Sequence, residues 1–489
     1  MRLDILCDSL GLLLPGGADK IEINNVRSNS KEVHSGDLFV CVNGFFTDGH
    51  KYVKEAEKNG AAAIISQKEI ETDLPLLICE NTRKILPHLY SAICFHPEKK
   101  LKIVGVTGTN GKTTVTYLLE AIFMHAGYRT GVIGTIESRI DGKKIDLDDL
   151  QLKNMTTPDP EELFLILSYM AKNGVEYVFM EVSSHALALD KLDGIIFECG
   201  VFTNLTPEHM DFHRDMEDYF GAKRKLFDIS KIKIVNVDDA FGKRLRALYM
   251  DCDSCSALGE NADFMAKNAV SLGVLGTEWE LMSDSSYFKI KSRLVGEYNI
   301  MNVLEASACA LSLGVPPSKI RDAIGSVSGV KGRLERVRLD SSCDFSVFID
   351  FAHTPDALKK VLLTLRENMS RGERLVVLFG CGGDRDRSKR RVMGEIASDY
   401  ADLLIVTSDN SRSEEPMEII SEIEKGIYKE NYTVIENRRE AIEYAILNAK
   451  RGDVILLAGK GHEEYEINKS GKHPFCEKDI VKEAFLRRK

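Results

Sequence analysis

A glycine-rich segment, Gly105 to Thr114, has the residue types and spacing needed to bind phosphate groups. It follows an apolar stretch and opens an amphipathic one, which predicts a strand, a tight turn and a helix. Backbone N–H groups in such a turn converge on phosphate oxygens at the positive end of the helix dipole. Lys112 can reach the β- and γ-phosphates, and the Thr113 hydroxyl can bind Mg²⁺. The strict motif has glycine where this chain has Val106, yet the segment still predicts ATP binding.

Acidic and basic side chains follow two further apolar stretches. Glu181 comes after the predicted strand Tyr177–Met180, and ligands of open α/β sheets bind beyond the carboxyl ends of strands. Glu181 can therefore hold a metal ion or its water, or it can be a solvated strand end. The segment Asn204–His213 carries two histidines and two acids, which suits phosphate and Mg²⁺ chemistry or a polar surface loop. On the charged helix that follows, physical reasoning does not distinguish Lys223 from Lys225.

Length and charge restrict the class of protein. At about 150 residues per domain, 489 residues predict about three domains. A formal net charge of −10 disfavours nucleic-acid binding, which usually needs a basic face. No apolar run approaches the ~20 residues of a membrane span, and an acidic residue interrupts the start of the chain, so no signal peptide is predicted. We expect a cytoplasmic enzyme. Its Cys252 and Cys255 lack the second pair that a zinc site needs.

The order of predicted strands and helices divides the chain into three α/β domains. Residues 1–98 predict a smaller N-terminal domain, which ends at a polar linker. Residues 99–331 predict a central domain with a mostly parallel, P-loop-like sheet and helices on both faces. Residues 332–489 predict a Rossmann-like C-terminal domain. Alternation over residues 272–294 predicts a few antiparallel strands at the rim of the central domain.

An ordered series of segments resembles the Mur ligase family along nearly the whole chain. Each segment alone is weakly specific, and the order and spacing together make the resemblance specific. The segments are the Gly-Thr-Asn-Gly-Lys-Thr-Thr turn, Glu181–His185, Asn204–His209, Ala222–Phe227, Gly296–Asn302, Gly332–Glu335, Asp350–Pro355 and Gly380–Asp386.

The resemblance implies a three-domain, ATP-dependent amide ligase of peptidoglycan precursor synthesis. In that family, ATP phosphorylates the terminal carboxylate of UDP-MurNAc-L-Ala-D-Glu, and the amine of a diamino acid attacks the acyl phosphate. Phosphate is a far better leaving group than oxide, and Mg²⁺, Lys112 and the loop amides must offset the charge of two anionic substrates. The nucleotide would lie between the second and third domains, where domain closure excludes water.

The resemblance also assigns residues to the nucleotide and the metal. Lys112, Glu181, His209 and Lys223 would be catalytic, with Lys223 converted to a carbamate whose oxygens suit Mg²⁺. The Mg²⁺ ligands would be Thr113, Glu181, His209 and Lys223. The nucleotide would contact Thr107, Gly108, Thr109, Asn110, Gly111, Lys112, Thr113, Thr114, Asn299, Arg333, Asp350 and His353.

Two further groups match substrate positions of the family. Asp409-Asn410-Ser411-Arg412 resembles the Asp-Asn-Pro-Arg signature of members that add meso-diaminopimelate, in which the arginine can hold a carboxylate through two parallel hydrogen bonds. Ser411 replaces the proline and loosens the turn, so L-lysine stays open as the added amino acid. The matching residues are Ser30 and Lys31 at the UDP end; Thr156, Thr157, Ser183 and Lys191 at the muramoyl dipeptide; and Arg390, Asp409, Asn410, Ser411, Arg412, Gly459 and Glu463 at the diamino acid, with Glu463 on its distal ammonium.

Two alternatives remain from the sequence. A folylpolyglutamate synthetase resembles the same family in its loop and its carbamylated lysine, but would not account for Asn29–Lys31 or Asp409–Arg412. A regulatory protein that binds ATP without ligation would not need the acid, histidine and lysine set around the loop. The expected partners are small molecules, with no nucleic acid and no membrane, and the expected state is a monomer.

Overall fold

Strands and helices alternate through the chain, which confirms the α/β class. The computed structural model describes residues 1–44, 47–145, 155–208, 210, 212–340 and 342–488. The chain forms two compact units, one of residues 1–264 with 305–320 and the other of residues 265–304 with 321–489. Within the described ranges, no helix combines the length and the apolar character that a membrane crossing requires.

The described strands and helices follow the predicted order. The strands are β1 (Val26–Arg27), β2 (Leu38–Val40), β3 (Ala63–Ser66), β4 (Leu76–Ile78), β5 (Lys102–Thr107), β6 (Thr130–Ile133), β7 (Arg139–Ile140), β8 (Lys143–Lys144), β9 (Tyr177–Glu181), β10 (Phe197–Phe202), β11 (Ser230–Asn236), β12 (Asp253–Ser256), β13 (Phe264–Ser271), β14 (Thr277–Ser283), β15 (Tyr287–Ser292), β16 (Glu335–Arg336), β17 (Ser346–Asp350), β18 (Leu375–Phe379), β19 (Leu403–Val406), β20 (Tyr432–Val434), β21 (Val454–Ala458), β22 (Tyr465–Asn468) and β23 (Gly471–Pro474). The helices are α1 (Leu3–Leu10), α2 (Val53–Lys58), α3 (Thr82–Ile93), α4 (Lys112–Ala126), α5 (Pro160–Lys172), α6 (Ser184–Ala188), α7 (Met216–Asp228), α8 (Ala240–Leu248), α9 (Tyr298–Ser312), α10 (Pro317–Ser326), α11 (Pro355–Asn368), α12 (Ser388–Tyr400), α13 (Pro416–Glu424), α14 (Arg438–Leu447) and α15 (Glu477–Arg488).

The first unit contains two sheets. The N-terminal sheet has the parallel order β1-β2-β3-β4. The larger sheet runs β12-β11-β10-β5-β9-β6, all parallel, and continues into the antiparallel strands β7 and β8. Strand β5 is central and is buried on both faces from Ile103 to Thr107, as expected for a parallel strand covered by helices. Gly105 lets Phe197 pack against β5, because a Cβ at Gly105 would lie 2.8 Å from the Phe197 ring.

The second unit is organised around the sheet β16-β17-β21-β18-β19-β20. All its pairs are parallel except β16 with β17, and apolar side chains of β17, β18, β19 and β21 form its buried core. Helix α11 begins after β17 with Thr354 as its N-cap and Pro355 in its first turn, an arrangement that favours a helix start. Strands β14 and β15 pair antiparallel, which confirms the antiparallel strands predicted over residues 272–294.

Candidate active site

The predicted phosphate-binding turn connects β5 to α4. Strand β5 ends at Thr107 and α4 begins at Lys112. Gly108 and Gly111 have φ angles of 145° and 91°, which L side chains rarely adopt. A Cβ at Gly108 would also lie 2.0 Å from the Thr203 hydroxyl. The turn therefore requires glycine both for its backbone conformation and for its contact with the end of β10.

Residues after β10 hold the turn in shape. The Thr109 N–H donates to the Asn204 carbonyl at 2.9 Å, and the Asn110 N–H donates to Asn204 Oδ1 at 3.0 Å. The Thr203 hydroxyl donates to the Asn110 carbonyl at 2.6 Å. The Thr107 hydroxyl is buried and donates to the Val182 carbonyl at 2.8 Å. Thr107 and Asn110 thus shape the turn through contacts with neighbouring strand ends.

Two lysines donate to the same carbonyl of the turn. Lys112 Nζ lies 2.9 Å from the Gly108 oxygen and 2.8 Å from the Thr109 oxygen. Lys223 Nζ, on α7, lies 2.8 Å from the Gly108 oxygen. Lys223 is 2% exposed, whereas Lys225 pairs with Asp190 at the surface. The structure therefore distinguishes the two lysines that the sequence left equivalent.

The surroundings of Lys223 favour its neutral amine. Burial lowers the pKa of Lys223 well below its usual value, the Lys112 ammonium lowers it further, and the Glu208 carboxylate opposes them. The Lys223 Nζ lies 4.7 Å from the centroid of the Tyr219 ring, which encloses the amine on one side. His209, predicted to act beside Lys223, lies outside the described residues.

Glu181, at the carboxyl end of β9, is buried beside the start of α4. Its Oε1 accepts from the Thr113 hydroxyl at 2.9 Å and from the Thr135 N–H at 3.1 Å. Its Oε2 accepts from the Thr135 hydroxyl at 3.0 Å. Carboxylate and hydroxyl oxygens are ligands that suit Mg²⁺, which usually binds through one or two carboxylates together with phosphate oxygens. Thr113 and Glu181 therefore fit the predicted metal.

Three of the four residues predicted to hold the muramoyl dipeptide lie next to Glu181, namely Thr156, Thr157 and Ser183. The Thr156 hydroxyl is 3.0 Å from the Thr135 hydroxyl. The Thr157 hydroxyl donates to the Glu181 carbonyl at 2.8 Å and accepts from the Ser183 N–H at 2.9 Å. Ser183 also caps α6. The structure thus brings these three side chains together with the Glu181 carboxylate, which was predicted to bind Mg²⁺.

The remaining predicted substrate residues of the first unit have their own partners. Lys191 Nζ pairs with the Asp159 carboxylate at 2.7 Å. Ser30 is buried, and its hydroxyl donates to the Glu55 carboxylate. Lys31 follows Ser30 in a short 3-10 helix and is exposed.

In the second unit, three of the residues predicted to hold adenine and ribose, Arg333, Asp350 and His353, lie at the end of β17. Asp350 accepts from the Leu334 N–H at 2.6 Å and the Ala352 N–H at 2.8 Å. Burial raises the pKa of Asp350, while the Leu334 N–H and Arg333 oppose the rise. The Arg333 guanidinium lies 5.4 Å from the centroid of the Phe351 ring.

Two other predicted nucleotide residues belong to the same unit. A ring nitrogen of His353, Nδ1, lies 2.8 Å from the Phe351 carbonyl. Asn299 is buried in the first turn of α9, where its side-chain amide donates to the Val295 carbonyl at 2.8 Å.

Asn410 is the centre of a second polar cluster, after β19. Its side-chain amide donates to Glu463 Oε2 at 2.8 Å, and its Oδ1 accepts from Lys460 Nζ at 3.0 Å. The Arg412 guanidinium donates to the Gly383 carbonyl at 2.8 Å. Arg412 is half-buried, and no carboxylate of the described residues lies within ion-pair distance of it. Arg412 and Glu463 thus place opposite charges around one asparagine.

Three more predicted residues complete this cluster. Asp409 is buried, and a Cβ at Gly459 would lie 2.6 Å from its carboxylate. Ser411 is also buried, and its carbonyl accepts from the Glu414 N–H at 3.0 Å. The Gly459 N–H donates to the Asp350 carbonyl at 3.0 Å, which connects this cluster to the end of β17.

The Arg390 side chain is fully buried, and its two terminal nitrogens donate to protein groups. Its side chain is 0% exposed and donates to both oxygens of Glu414 and to Glu422, at 2.8 to 2.9 Å. It also donates to the Gly382 carbonyl at 3.2 Å. Arg390 therefore anchors the segment at Gly382, and the next carbonyl in that segment, Gly383, accepts from Arg412.

Sequence reasoning missed Thr135, Lys460 and His462. Thr135 follows β6, which is the neighbour of β9 in the sheet. Its position after the carboxyl end of a strand could have identified it as a candidate site residue. Lys460 is 0% exposed and bonds Asn410. His462 is half-buried, and its partial burial, with the charges of Arg333 and Lys331, lowers its pKa to about 4. Gly332 packs against the same loop, because a Cβ at Gly332 would lie 2.3 Å from the His462 backbone nitrogen.

The α/β sheets, the phosphate-binding turn and the polar clusters at strand ends define a nucleotide-dependent enzyme. The chain belongs to the Mur ligase family. Residues 22–98 match the Mur ligase family catalytic domain, residues 106–310 the Mur ligase middle domain and residues 332–461 the Mur ligase glutamate ligase domain. This confirms the predicted resemblance.

Individual relatives cover nearly the whole chain. The UDP-N-acetylmuramoyl-L-alanyl-D-glutamate–2,6-diaminopimelate ligase 1 of Clostridium acetobutylicum is 42% identical over 466 residues, 95% of each chain. A solved structure of a UDP-N-acetylmuramoyl-L-alanyl-D-glutamate–2,6-diaminopimelate ligase is 29% identical, with a TM-score of 0.74 over 99% of each chain. A Mycobacterium tuberculosis folylpolyglutamate synthase, solved with ADP and AMPPCP, is 18% identical with a TM-score of 0.58, over 82% of this chain and 94% of its own. That last likeness concerns the fold alone.

Proposed function

We propose that this protein is an ATP-dependent amide ligase that joins meso-diaminopimelate to UDP-MurNAc-L-Ala-D-Glu in peptidoglycan precursor synthesis. The observation that carries the proposal is the buried Lys223 amine on the Gly108 carbonyl, in the turn that leads to Thr113, whose hydroxyl donates to Glu181. A nucleotide switch needs the turn and a metal ligand, but it has no use for a second, enclosed amine. A ligase needs groups that position an anionic carboxylate, the phosphoryl acceptor, beside the phosphates of ATP.

The proposed roles in the first unit follow from the contacts. Lys112 exchanges its two carbonyl partners for the β- and γ-phosphates of ATP, and the turn amides bind the remaining phosphate oxygens. Thr113 and Glu181, with His209, hold Mg²⁺, which when bound offsets the charge of the phosphates. With that charge offset, a substrate carboxylate can attack the γ-phosphate. The phosphorus–oxygen bond to ADP breaks as the acyl phosphate forms.

We propose that Lys223 acts as a carbamate. Its amine attacks CO₂, a nitrogen–carbon bond forms, and the amine proton leaves to solvent. The product is an anion with two oxygens in a position that is enclosed and adjacent to the turn. Such oxygens suit a Mg²⁺ site better than an ammonium does.

The amino-acid site is proposed around Asn410. The Arg412 guanidinium takes the distal carboxylate of meso-diaminopimelate and Glu463 takes the distal ammonium, because the two side chains present opposite charges around Asn410. The Asp409, Ser411 and Gly459 positions form the wall of this site, and Arg390 supports it through Glu414 and Gly382. The attacking amine then displaces phosphate from the acyl phosphate and forms the amide.

The other predicted contacts belong to the same proposal. The domains stay assigned as 1–98, 99–331 and 332–489, and the protein acts as a cytoplasmic monomer on small molecules, without nucleic acid or membrane. Adenine and ribose contact Asn299, Arg333, Asp350 and His353; the UDP end contacts Ser30 and Lys31; and the muramoyl dipeptide contacts Thr156, Thr157, Ser183 and Lys191.

The test is ADP release with UDP-MurNAc-L-Ala-D-Glu and, in turn, meso-diaminopimelate, L-lysine and L-glutamate. We expect ADP release only with both the nucleotide dipeptide and meso-diaminopimelate. Equal use of L-lysine would refute the assigned amino acid while keeping the ligase. ADP release that ignores the nucleotide dipeptide would refute the ligase assignment, because a folylpolyglutamate synthetase or a nucleotide switch would not depend on it.

A further inference from the structure

A cavity in the second unit lies outside the proposed active site. Its volume is about 320 Å³, at the lower end of the range for small-molecule pockets, which is roughly 300–1,000 Å³. Three arginines contribute to its wall: Arg293 directly after β15, Arg336 at the end of β16, and Arg338 two residues later. Guanidinium groups from separate parts of the chain therefore border one partly open pocket.

The cavity wall carries an excess of positive charge. Arg293, Arg336 and Arg338 are opposed by a single lining carboxylate, Asp340, so three positive charges less one negative charge leave a formal excess of two. Within the ranges the structure describes, no carboxylate lies within 4.0 Å of any of the three guanidinium groups. Arg336 and Arg338 instead donate to neutral groups, Arg336 to the Ser346 hydroxyl and Arg338 to the Ser326 carbonyl, each at 3.1 Å.

The charge of Arg336 is disfavoured when no anion is near. Arg336 is half-buried, and burial lowers its pKa, with Arg293 adding to the effect and Cys343 opposing it. Like charges that share a partly buried space repel one another more than they would in water. In a chain whose formal net charge is −10, an unpaired arginine cluster of this kind is consistent with recognition of an anion.

The cavity is separate from the residues assigned to the nucleotide. Arg336 pairs with Phe348 in the sheet, and the lining residue Phe345 precedes the start of β17. Asp350 is at the other end of β17. At about 3.3 Å per strand residue, Phe345 and Asp350 are roughly 16 Å apart along the chain. An anion at the arginines would therefore occupy the amino end of the strand, whereas the nucleotide site is assigned to the carboxyl end.

We propose that this cavity binds a phosphate monoester with a small organic group. A phosphate monoester presents three terminal oxygens, which can accept hydrogen bonds from the three arginines of the lining, and each guanidinium offers paired donors. A dianion also matches the excess of two positive charges. The side chains of Val337, Leu339 and Phe345 provide an apolar wall for the organic part.

The first test is isothermal titration calorimetry with phenyl phosphate, benzenesulfonate and inorganic phosphate, on protein carrying Lys112→Ala to weaken competing binding at the turn. Phenyl phosphate is a dianion with an aromatic group, and benzenesulfonate has a similar shape with one charge. We expect phenyl phosphate to bind at least about 10-fold more tightly than either of the others, since only it has both the charge and the apolar part.

Variants then assign the binding to the cavity. Arg293 and Arg338 are exposed, so the double variant R293Q/R338Q should fold, and we expect it to bind phenyl phosphate at least about 10-fold more weakly. The matched control is R371Q/R451Q, which removes two exposed arginines of the same unit that do not line the cavity. Unchanged affinity in R293Q/R338Q, or an equal loss in the control, would overturn the proposal.

Cys343 gives an independent readout, because it is half-buried and lines the cavity. Phenyl phosphate should slow alkylation of Cys343 by iodoacetamide, measured by peptide mass spectrometry, in the protein with intact arginines and not in R293Q/R338Q. The alkylation rate of Cys79, a half-buried cysteine of the first unit, should not change. Alkylation of Cys343 at the same rate with and without saturating phenyl phosphate would contradict binding in this cavity.

Discussion

Replacing Arg412 by alanine should remove the preference for meso-diaminopimelate over L-lysine. The two amino acids differ by one carboxylate, which we assign to the Arg412 guanidinium. Truncating one partner of a buried, hydrogen-bonded charge pair costs roughly 2–5 kcal/mol. Arg412 is half-buried rather than fully buried, so we expect the lower end, a loss of about 30-fold in kcat/KM for meso-diaminopimelate. L-Lysine has no carboxylate for Arg412, and its much lower kcat/KM should change little.

The structure adds a second effect that the assay must separate. Arg412 Nη1 also donates to the Gly383 carbonyl, so the alanine variant loses a loop contact as well as a charge. Arg412→Lys keeps the charge but loses the paired donors, and should retain only part of the preference. The matched control is Arg391→Ala, an exposed arginine on α12, which should leave both kcat/KM values unchanged.

The assay is steady-state ADP release with each amino acid varied at saturating nucleotide dipeptide. Circular dichroism would check that each variant is folded. If Arg412→Ala keeps the wild-type ratio of the two kcat/KM values, then Arg412 does not read the carboxylate. An equal loss with both amino acids would mean that Arg412 only holds the loop, as its Gly383 contact allows.

Four further results are expected. Lys223→Ala should lose at least about 100-fold of ligation, with partial recovery in added formate or acetate, and an active variant without those anions would contradict the carbamate. Glu181→Gln should raise the Mg²⁺ concentration needed for half-maximal ADP release by about 10-fold, and an unchanged Mg²⁺ titration would exclude Glu181 as a ligand. Lys460→Met should raise KM for the amino acid more than KM for ATP, because Lys460 positions Asn410; equal effects would indicate general destabilisation. The Arg390 guanidinium lowers the pKa of Glu414 from 4.5 to about 2. The Glu414 carboxylate therefore stabilises the fold above pH 4.5, and this contribution is lost as pH falls towards 2. In urea unfolding, Glu414→Gln should reduce the fall in unfolding free energy over that pH range, and an unchanged pH profile would contradict this role.

The fold could be predicted largely because parallel strands appear in the sequence as apolar runs. Strands β5, β9 and β10 and the four central strands of the second unit are continuous buried segments, and each of them except β21 is followed by a helix. The turn between β5 and α4 was equally accessible, since Gly108 and Gly111 are required by local backbone conformation. The sequence thus predicted the features that depend on residues close together in the chain, namely the buried strands and the glycine turn.

The partners of charged side chains could not be predicted, because they depend on contacts between distant segments. Lys223 and Lys225 are two residues apart on one helix, and only the packing of α7 against the turn places one on Gly108 and the other at the surface. Arg390 matched a substrate-binding position, yet Glu414 and Glu422 take its donors. Thr135 carries no motif at all, and its position beside Glu181 follows from the pairing of β6 with β9.

The close packing of Gly332 against His462 has a thermodynamic consequence for the second unit. A Cβ at Gly332 would lie 2.3 Å from the His462 backbone nitrogen, so the turn before Arg333 packs directly against the loop that leads to Glu463. Any ligand that orders one segment lowers the entropic cost of ordering the other. By linkage, nucleotide and amino acid must then change each other's affinity by the same factor, and that factor can be measured without catalysis by titrating ADP with and without meso-diaminopimelate.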